Sequence, residues 1–425
     1  MTRWIALIVG LLIAAAVPVT APAADDAPSG EAPAGQQRSR VPLPEFLKVP
    51  KLQPVPFPEA GQFRSAIDRG VAFLLSDQNR NGSWGTAERT KDLNIMAPVP
   101  GAHHAFRMGT TALCLSALLE LEPYRADVSP AIDRCEQFVF ESLPQLRRAD
   151  ETALYNMWGH GYGIQALVRM YRRNEDPARR EKIGNLIRMQ YDYLGRYESV
   201  DGGWGYYDFD IHAKQPATKT VSFGSAAVLV AMREARDIGF EPPERLVRRA
   251  IDSLHRQQKP DFSYLYGEYL RFKPMLGVNR PGGSLGRSQA CNLALRLWDQ
   301  PEITDEVMTA WLDRLFSRNG WLDIGRKKPI PHESWFQVAG YFYYFGHYYA
   351  ALSIEQLPPA KRGEYQAHLA SILVRLQEKD GSWWDYPLYN YHQQYGTGFV
   401  LMSLLRCLPA DSPVLKTSDS STESQ

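Results

Sequence analysis

The 425-residue chain contains only four cysteines, Cys114, Cys135, Cys291 and Cys407, too few and too scattered to frame a disulfide-built fold. Three of them, Cys114, Cys291 and Cys407, stand in apolar runs, where cysteine serves as a small buried hydrophobe. Cys135 has no ligand partner nearby in sequence, so no metal site is read from the cysteines. A charge excess is also lacking: 48 Lys and Arg against 47 Asp and Glu leave +1. Such a chain carries no electrostatic footprint for a polyanion, and nucleic acid is excluded as an expected partner. After the first two dozen residues no run is long and apolar enough to span a bilayer. Aromatic residues, by contrast, are plentiful: 10 Trp, 22 Tyr and 17 Phe, alongside 32 Gly and 30 Pro.

The first 24 residues have one early charge, Arg3, an apolar stretch over 4–17, and Ala21-Pro22-Ala23 before Asp25. This is the pattern of a cleaved secretory signal peptide. No cysteine follows the cleavage site, so a lipid anchor is not expected, and the mature protein should be periplasmic or secreted. Residues 25–58 hold eight prolines and no hydrophobic period, as in an extended linker or arm. Residues 410–425 form a polar tail.

Residues 59–409 alternate two kinds of helical run. In the first, apolar residues recur on one face, as in Ile67, Val71, Leu74 and Leu75 at i, i+4, i+7 and i+8. Comparable runs fall near 131–143, 181–196, 244–257, 305–317 and 364–377. The second kind is apolar or small nearly all round, which suits a helix enclosed by others. These runs fall at 109–119 and near 161–172, 222–235, 285–298, 336–352 and 395–407. Gly- and aromatic-rich turns join them, with Trp84, Trp204, Tyr264, Trp321 and Trp383 on a grid of about 60 residues, and the grid point near Pro144 missing. The expected fold is all-α: an α/α toroid of about six helical hairpins, inner helices around a cavity and outer helices outside. A closed ring buries every all-apolar helix and leaves no exposed repeat end.

Two of the turns read Gln78-Asn79-Arg80-Asn81-Gly82-Ser83-Trp84 and Gln377-Glu378-Lys379-Asp380-Gly381-Ser382-Trp383, both Q-x3-G-x-W. Glu198-Ser199-Val200-Asp201-Gly202-Gly203-Trp204 keeps the spacing with Glu for Gln, and Gln258 to Tyr264 keeps Gln and aromatics. The pattern resembles the QW repeat of squalene–hopene cyclases and the wider family of triterpene cyclases and prenyltransferase β-subunits. The resemblance covers residues 60–408 and implies the same toroid. In such a turn the Gln amide bonds a helix end and the Trp ring packs on it, so these residues fasten helices and are not assigned to a site.

The segments that lead into the inner helices would build the cavity mouth, and histidines and tyrosines gather there. Asp208, Asp210 and His212 are the candidate acid/base group. His103, His104, Trp158, His160, Tyr207, Arg287, Glu333, Trp335, Tyr391 and His392 are the candidate ligand contacts. The pairs His332-Glu333 and His103-His104 lack the spacing of metal ligands within one helix, so neither metal nor cofactor is assigned. His347 reads as a packed core histidine.

Type II cyclases protonate an alkene with an Asp of a D-x-D-D motif. Asp208-Phe209-Asp210-Ile211 lacks the last Asp, Cys291 lacks the companions of a prenyltransferase zinc, and no chemistry of the family transfers residue by residue. The resemblance therefore implies an exported toroid that binds or transforms an isoprenoid or other long apolar ligand; if it is an enzyme, it should be terpene-cyclase-like. A carbohydrate-active toroid and a non-catalytic envelope scaffold are the alternatives. A dry aromatic cavity would speak for isoprenoids, and a groove with two carboxylates about 5–10 Å apart for sugars. The expected partner is a small-molecule or lipid-like ligand, with peripheral membrane contact left open.

Overall fold

The structure is a computed structural model, described over residues 51–91, 100–208, 215–216, 219–332 and 337–408. The segments read as signal peptide and polar tail, and residues 25–50 of the Pro-rich arm, lie outside the described residues.

The described chain is helical. Six inner helices, α2 (Pro100–Leu121), α4 (Asn156–Arg173), α6 (Ser222–Arg236), α8 (Leu285–Leu297), α11 (Phe342–Glu355) and α13 (His392–Cys407), pack each on the next, and α13 packs back on α2. Six outer helices, α1 (Ala60–Asp77), α3 (Ser129–Ser142), α5 (Pro177–Tyr197), α7 (Glu244–Gln257), α9 (Asp305–Ser317) and α12 (Pro359–Arg375), lie against them. A short α10 (Asn319–Gly325) follows α9. This is the closed α/α toroid of six hairpins expected from the two kinds of run. The composition of each run sets its layer. In α7 only Leu246, Val247, Ala250, Ser253, Leu254 and Gln257 are buried, whereas in α11 every residue but Glu355 is.

The turns show how the ring is fastened. The indole Nε1 of Trp84, Trp204 and Trp383 each donates to the carbonyl ten residues earlier, on Leu74, Leu194 and Leu373, at 2.8 Å in every case. A hydroxyl from the following inner helix, Thr111, Ser225 or Thr397, then accepts from the Trp backbone N–H. Gln78 Nε2 donates to Ala131 O of α3, the next outer helix, and Gln377 Nε2 donates to Ala66 O of α1, both at 2.8 Å. The second of these bonds joins the last repeat to the first. Arg134 and Arg69, on those same outer helices, donate to the Gln Oε1 atoms. In the third repeat Glu198 takes this place as a buried carboxylate paired with Arg245 and Arg249 of α7.

The turn glycine follows from the same packing. Gly82, Gly202 and Gly381 have φ of 87°, 88° and 89°. A Cβ on any of them would stand 2.2–2.5 Å from the carbonyl oxygen of Arg134, Arg249 or Arg69. In the fourth repeat Phe262 adopts φ 58° at this position, and Trp311 of α9 makes the link by donating to Asp261 O at 3.0 Å. The turn grid departs from expectation at one point. Trp321 is 43% exposed on α10, unlike the fully buried Trp84, Trp204 and Trp383 of the other turns. Where the second repeat lacks its Trp, Tyr193 of α5 donates to Pro144 O at 2.7 Å instead.

All four cysteines are buried and free. His347 is buried, with Nδ1 2.7 Å from Tyr343 O and Nε2 3.0 Å from Asn319 Oδ1, a core histidine as read. Among the described residues, no helix is long and apolar enough to cross a membrane.

Candidate functional site: an aromatic cavity inside the ring

All six inner helices run the same way, so their N-termini share one end of the ring and their C-termini the other. The two ends differ in chemistry. At the C-terminal end Arg169 of α4 bridges Glu120 of α2 at 2.8 Å and Glu234 of α6 at 2.7 Å. Arg406 of α13 pairs with the same Glu120 at 2.6 Å and with Glu355 of α11 at 3.3 Å. Burial alone would raise the Glu120 pKa, but Arg406 and Arg169 hold it down at about 2. Five of the six inner helices are thus tied by one ionic belt, whose charges are paired as burial requires.

At the N-terminal end the ring encloses a cavity with about 890 Å³ of empty volume, part of it open to solvent. Twelve of its seventeen lining residues are aromatic and the rest are Ala105, Gly109, Thr110, Leu113 and Leu388. No carboxylate, Lys, Arg or His is among these described lining residues. The first turns of the inner helices supply much of the wall, including Trp158 on α4, Phe223 on α6, Phe342 and Phe345 on α11, and Tyr395 on α13. Trp158 stacks on Tyr162 and Phe223, with ring centroids 5.8 and 5.9 Å apart.

Short antiparallel bridges position the remaining rings. Ala153 bridges to Tyr207, and Leu154 N donates to Tyr206 O at 2.9 Å. This sets the Tyr155 ring parallel to Tyr206, centroids 5.8 Å apart, with the Tyr155 hydroxyl donating to Tyr207 at 2.5 Å. Val221 likewise bridges to Gly267, which brings Tyr266 to Tyr206, and their hydroxyls hydrogen-bond. Behind the wall lies Asp385, fully buried, accepting from Tyr395 Oη at 2.6 Å and from Tyr344 N at 2.9 Å. Burial pushes its carboxyl up to about 6 against those bonds, so it keeps its proton only in mildly acid solution, one hydrogen bond from the cavity.

Of the residues singled out in the sequence, Trp158 lines the cavity, and Tyr207 touches it through Tyr155. Tyr391 is buried and meets His103, its hydroxyl 3.3 Å from Nδ1, while His104 is exposed. His103 is half-buried and outside the wall. His160 sits between α4 and α5, 2.7 Å from Gln190 Oε1 and stacked on Tyr193, away from the cavity. Arg287 is fully buried and donates to three carbonyls, those of Tyr264, Gly283 and Val278, so it fixes the connection into α8. His392 Nδ1 is 2.5 Å from Tyr389 O and its ring meets the edge of Trp384. Asp208 is buried and paired with Arg148 at 3.1 Å. Asp210, His212, Glu333 and Trp335 lie outside the described residues. The sequence reading passed over Tyr155, Tyr341, Tyr386 and Asp385. The first two had a signal, since each immediately precedes an inner helix.

These features define a class: a single α/α toroid with an aromatic chamber at one end and an ionic belt at the other. Residues 48–270, just over half of the chain, match the family described as "Squalene-hopene cyclase C-terminal domain". The chain belongs to that family. A squalene–hopene cyclase of Bradyrhizobium diazoefficiens is 25% identical over 247 residues, 51% of this chain and 35% of that protein, so the match spans about a third of the relative's length. Among solved structures, type II terpene cyclase MstE from Scytonema is 14% identical at a TM-score of 0.46, covering 82% of this chain and 98% of that one. An α-1,6-mannanase of Salegentibacter is 12% identical at 0.49, covering 81% and 99%.

Proposed function

We propose that the ring is a chamber for an isoprenoid or other long apolar ligand, in a protein exported to the periplasm or beyond. The aromatic lining carries this reading. Rings exclude water from an apolar chain and present π faces, while sugar hydrolysis needs a pair of carboxylates that the described lining does not have. If the chamber is catalytic, Asp385 and Tyr395, not Asp208, are the pair to test: the hydrogen Tyr395 now gives Asp385 would have to turn to the ligand and be lost to it, while protonated Asp385 replaces it on the Tyr395 oxygen. The experiment is to incubate the purified mature protein with envelope lipid and glycan extracts and identify what co-purifies by mass spectrometry. An isoprenoid or similar long apolar compound is expected; recovery of oligosaccharide alone would favour the carbohydrate-active alternative and overturn this reading.

Entry of such a ligand calls for a lipid surface. The connection into α8 exposes Phe272 at 83% and Met275 at 67%, flanked by Arg271 and Lys273. We infer that this loop rests on anionic lipid, its apolar tips inserted and its cations at the headgroups. A Phe272→Ser, Met275→Ser double variant should sediment with anionic vesicles roughly ten-fold less than the wild type; equal sedimentation would remove the loop from membrane contact.

A further inference from the structure

The hydroxyls around the cavity form an ordered chain. His332 Nδ1 lies 2.8 Å from Gln337 O, an atom that can only accept, so Nδ1 carries the proton and Nε2 is the bare nitrogen. Burial favours this neutral form by lowering the His332 pKa. Nε2 lies 3.0 Å from Tyr341 Oη, which therefore donates to it. With its hydrogen committed, Tyr341 accepts from Tyr266 at 3.0 Å, and Tyr266 in turn accepts from Tyr206. Every hydroxyl hydrogen in the chain points toward His332. The open end, at Tyr206 on the cavity wall, is left with unused acceptor lone pairs.

A second observation stands opposite in kind. Tyr386 lines the same cavity, is 2% exposed, and its hydroxyl has no hydrogen-bond partner among the described residues. Its ring meets that of Tyr341 edge-on, centroids 5.5 Å apart. A buried phenol without a partner is destabilising unless something in the cavity supplies one. The wall thus offers a spare donor at Tyr386 and a spare acceptor at Tyr206. No cation among the described lining residues would neutralise a phosphate or carboxylate, and Arg287, the buried cation behind Tyr266 and Phe342, spends its donors on carbonyls.

We propose that the ligand of this chamber carries an uncharged hydroxyl, a group that both donates and accepts, bound by Tyr386 and Tyr206. The ligand class is a long-chain isoprenoid alcohol, in preference to the bare hydrocarbon or the diphosphate. This rests on reading the chamber as an isoprenoid site, and the test separates the two.

A C20 prenol, the hydrocarbon of the same skeleton and the prenyl diphosphate are titrated into wild-type protein, Tyr386→Phe and Tyr206→Phe. In the wild type the prenol should bind roughly ten-fold tighter than the hydrocarbon, the worth of about one buried hydrogen bond, and the diphosphate weakest. Tyr386→Phe should bring the prenol down to the hydrocarbon's affinity and leave the hydrocarbon unchanged, which also shows the cavity intact. If Tyr386→Phe weakens both ligands alike, Tyr206→Phe decides by the same comparison. Equal binding of prenol and hydrocarbon by the wild type, a preference that survives both variants, or tightest binding of the diphosphate would overturn the inference while leaving the isoprenoid reading standing. Failure of all three ligands to bind would overturn both.

Discussion

At the scale of single residues, the turn glycines carry a cost that can be isolated. Gly381 has φ 89° and would bring an added Cβ to 2.5 Å from Arg69 O, whereas Gly239 has φ 93° and nothing within 4 Å. Gly239→Ala should therefore lose only the left-handed penalty of about 1–2 kcal/mol. Gly381→Ala adds a backbone clash at the seam where the last repeat meets the first, and should lose about 3 kcal/mol or more. Denaturant unfolding midpoints of the two variants measure the difference; equal losses would show that the seam yields. The same scale explains why Gln377 and Trp383 belong to architecture: their side-chain N–H groups donate to Ala66, Gly381 and Leu373 carbonyls, and the Gln377 oxygen accepts from Arg69.

At the scale of elements, the helices were legible because each layer has its own periodicity. The one-faced runs became outer helices and the all-round runs became the inner ring, within a few residues. The clearest shortfall was α2, which begins at Pro100 although its all-apolar run begins at 109. Ala102, Ala105 and Met108 keep one buried face through that turn, while His103, His104 and Arg107 break the run in sequence. The site was less legible for a related reason. The segments leading into inner helices were the right places, but periodicity does not say which side of a first turn faces the axis. Trp158 faces it, His160 two residues later faces α5, and His392 turns to Trp384. Tyr386 and Asp385 follow a QW turn and carry no pattern of their own, so only packing reveals them. The regular grid also misled at its fifth point, since Trp321 falls near the expected spacing yet is 43% exposed on α10.

At the scale of the whole molecule, burial of titratable groups sets opposing pH dependences. Burial lowers His160, His347 and His392 to about 4, from 6.5 when unfolded. Their stabilising contribution is complete above pH 6.5 and is lost as pH falls from 6.5 through 4. Asp385 runs the other way: raised from 3.8 to about 6, it favours the fold below pH 3.8, and that advantage is lost as pH rises through 6. Asp385→Asn should therefore gain on the wild type by about 3 kcal/mol between pH 3 and pH 8, then level off, on top of a pH-independent offset from the altered bonds to Tyr395 and Tyr344. Urea unfolding at a series of pH values measures the gain; a constant difference across this range would mean that Asp385 is not held as a buried acid.

On the function proposed above, the ring's aromatic chamber receives a long apolar chain. The most direct measurement is tryptophan fluorescence during titration with a C20 prenol and, separately, with a linear oligosaccharide, in the wild type and in Trp158→Phe. The expected result is a saturable change with the prenol that vanishes in Trp158→Phe, and none with the oligosaccharide. A saturable oligosaccharide response that depends on Trp158, with the prenol silent, would contradict it.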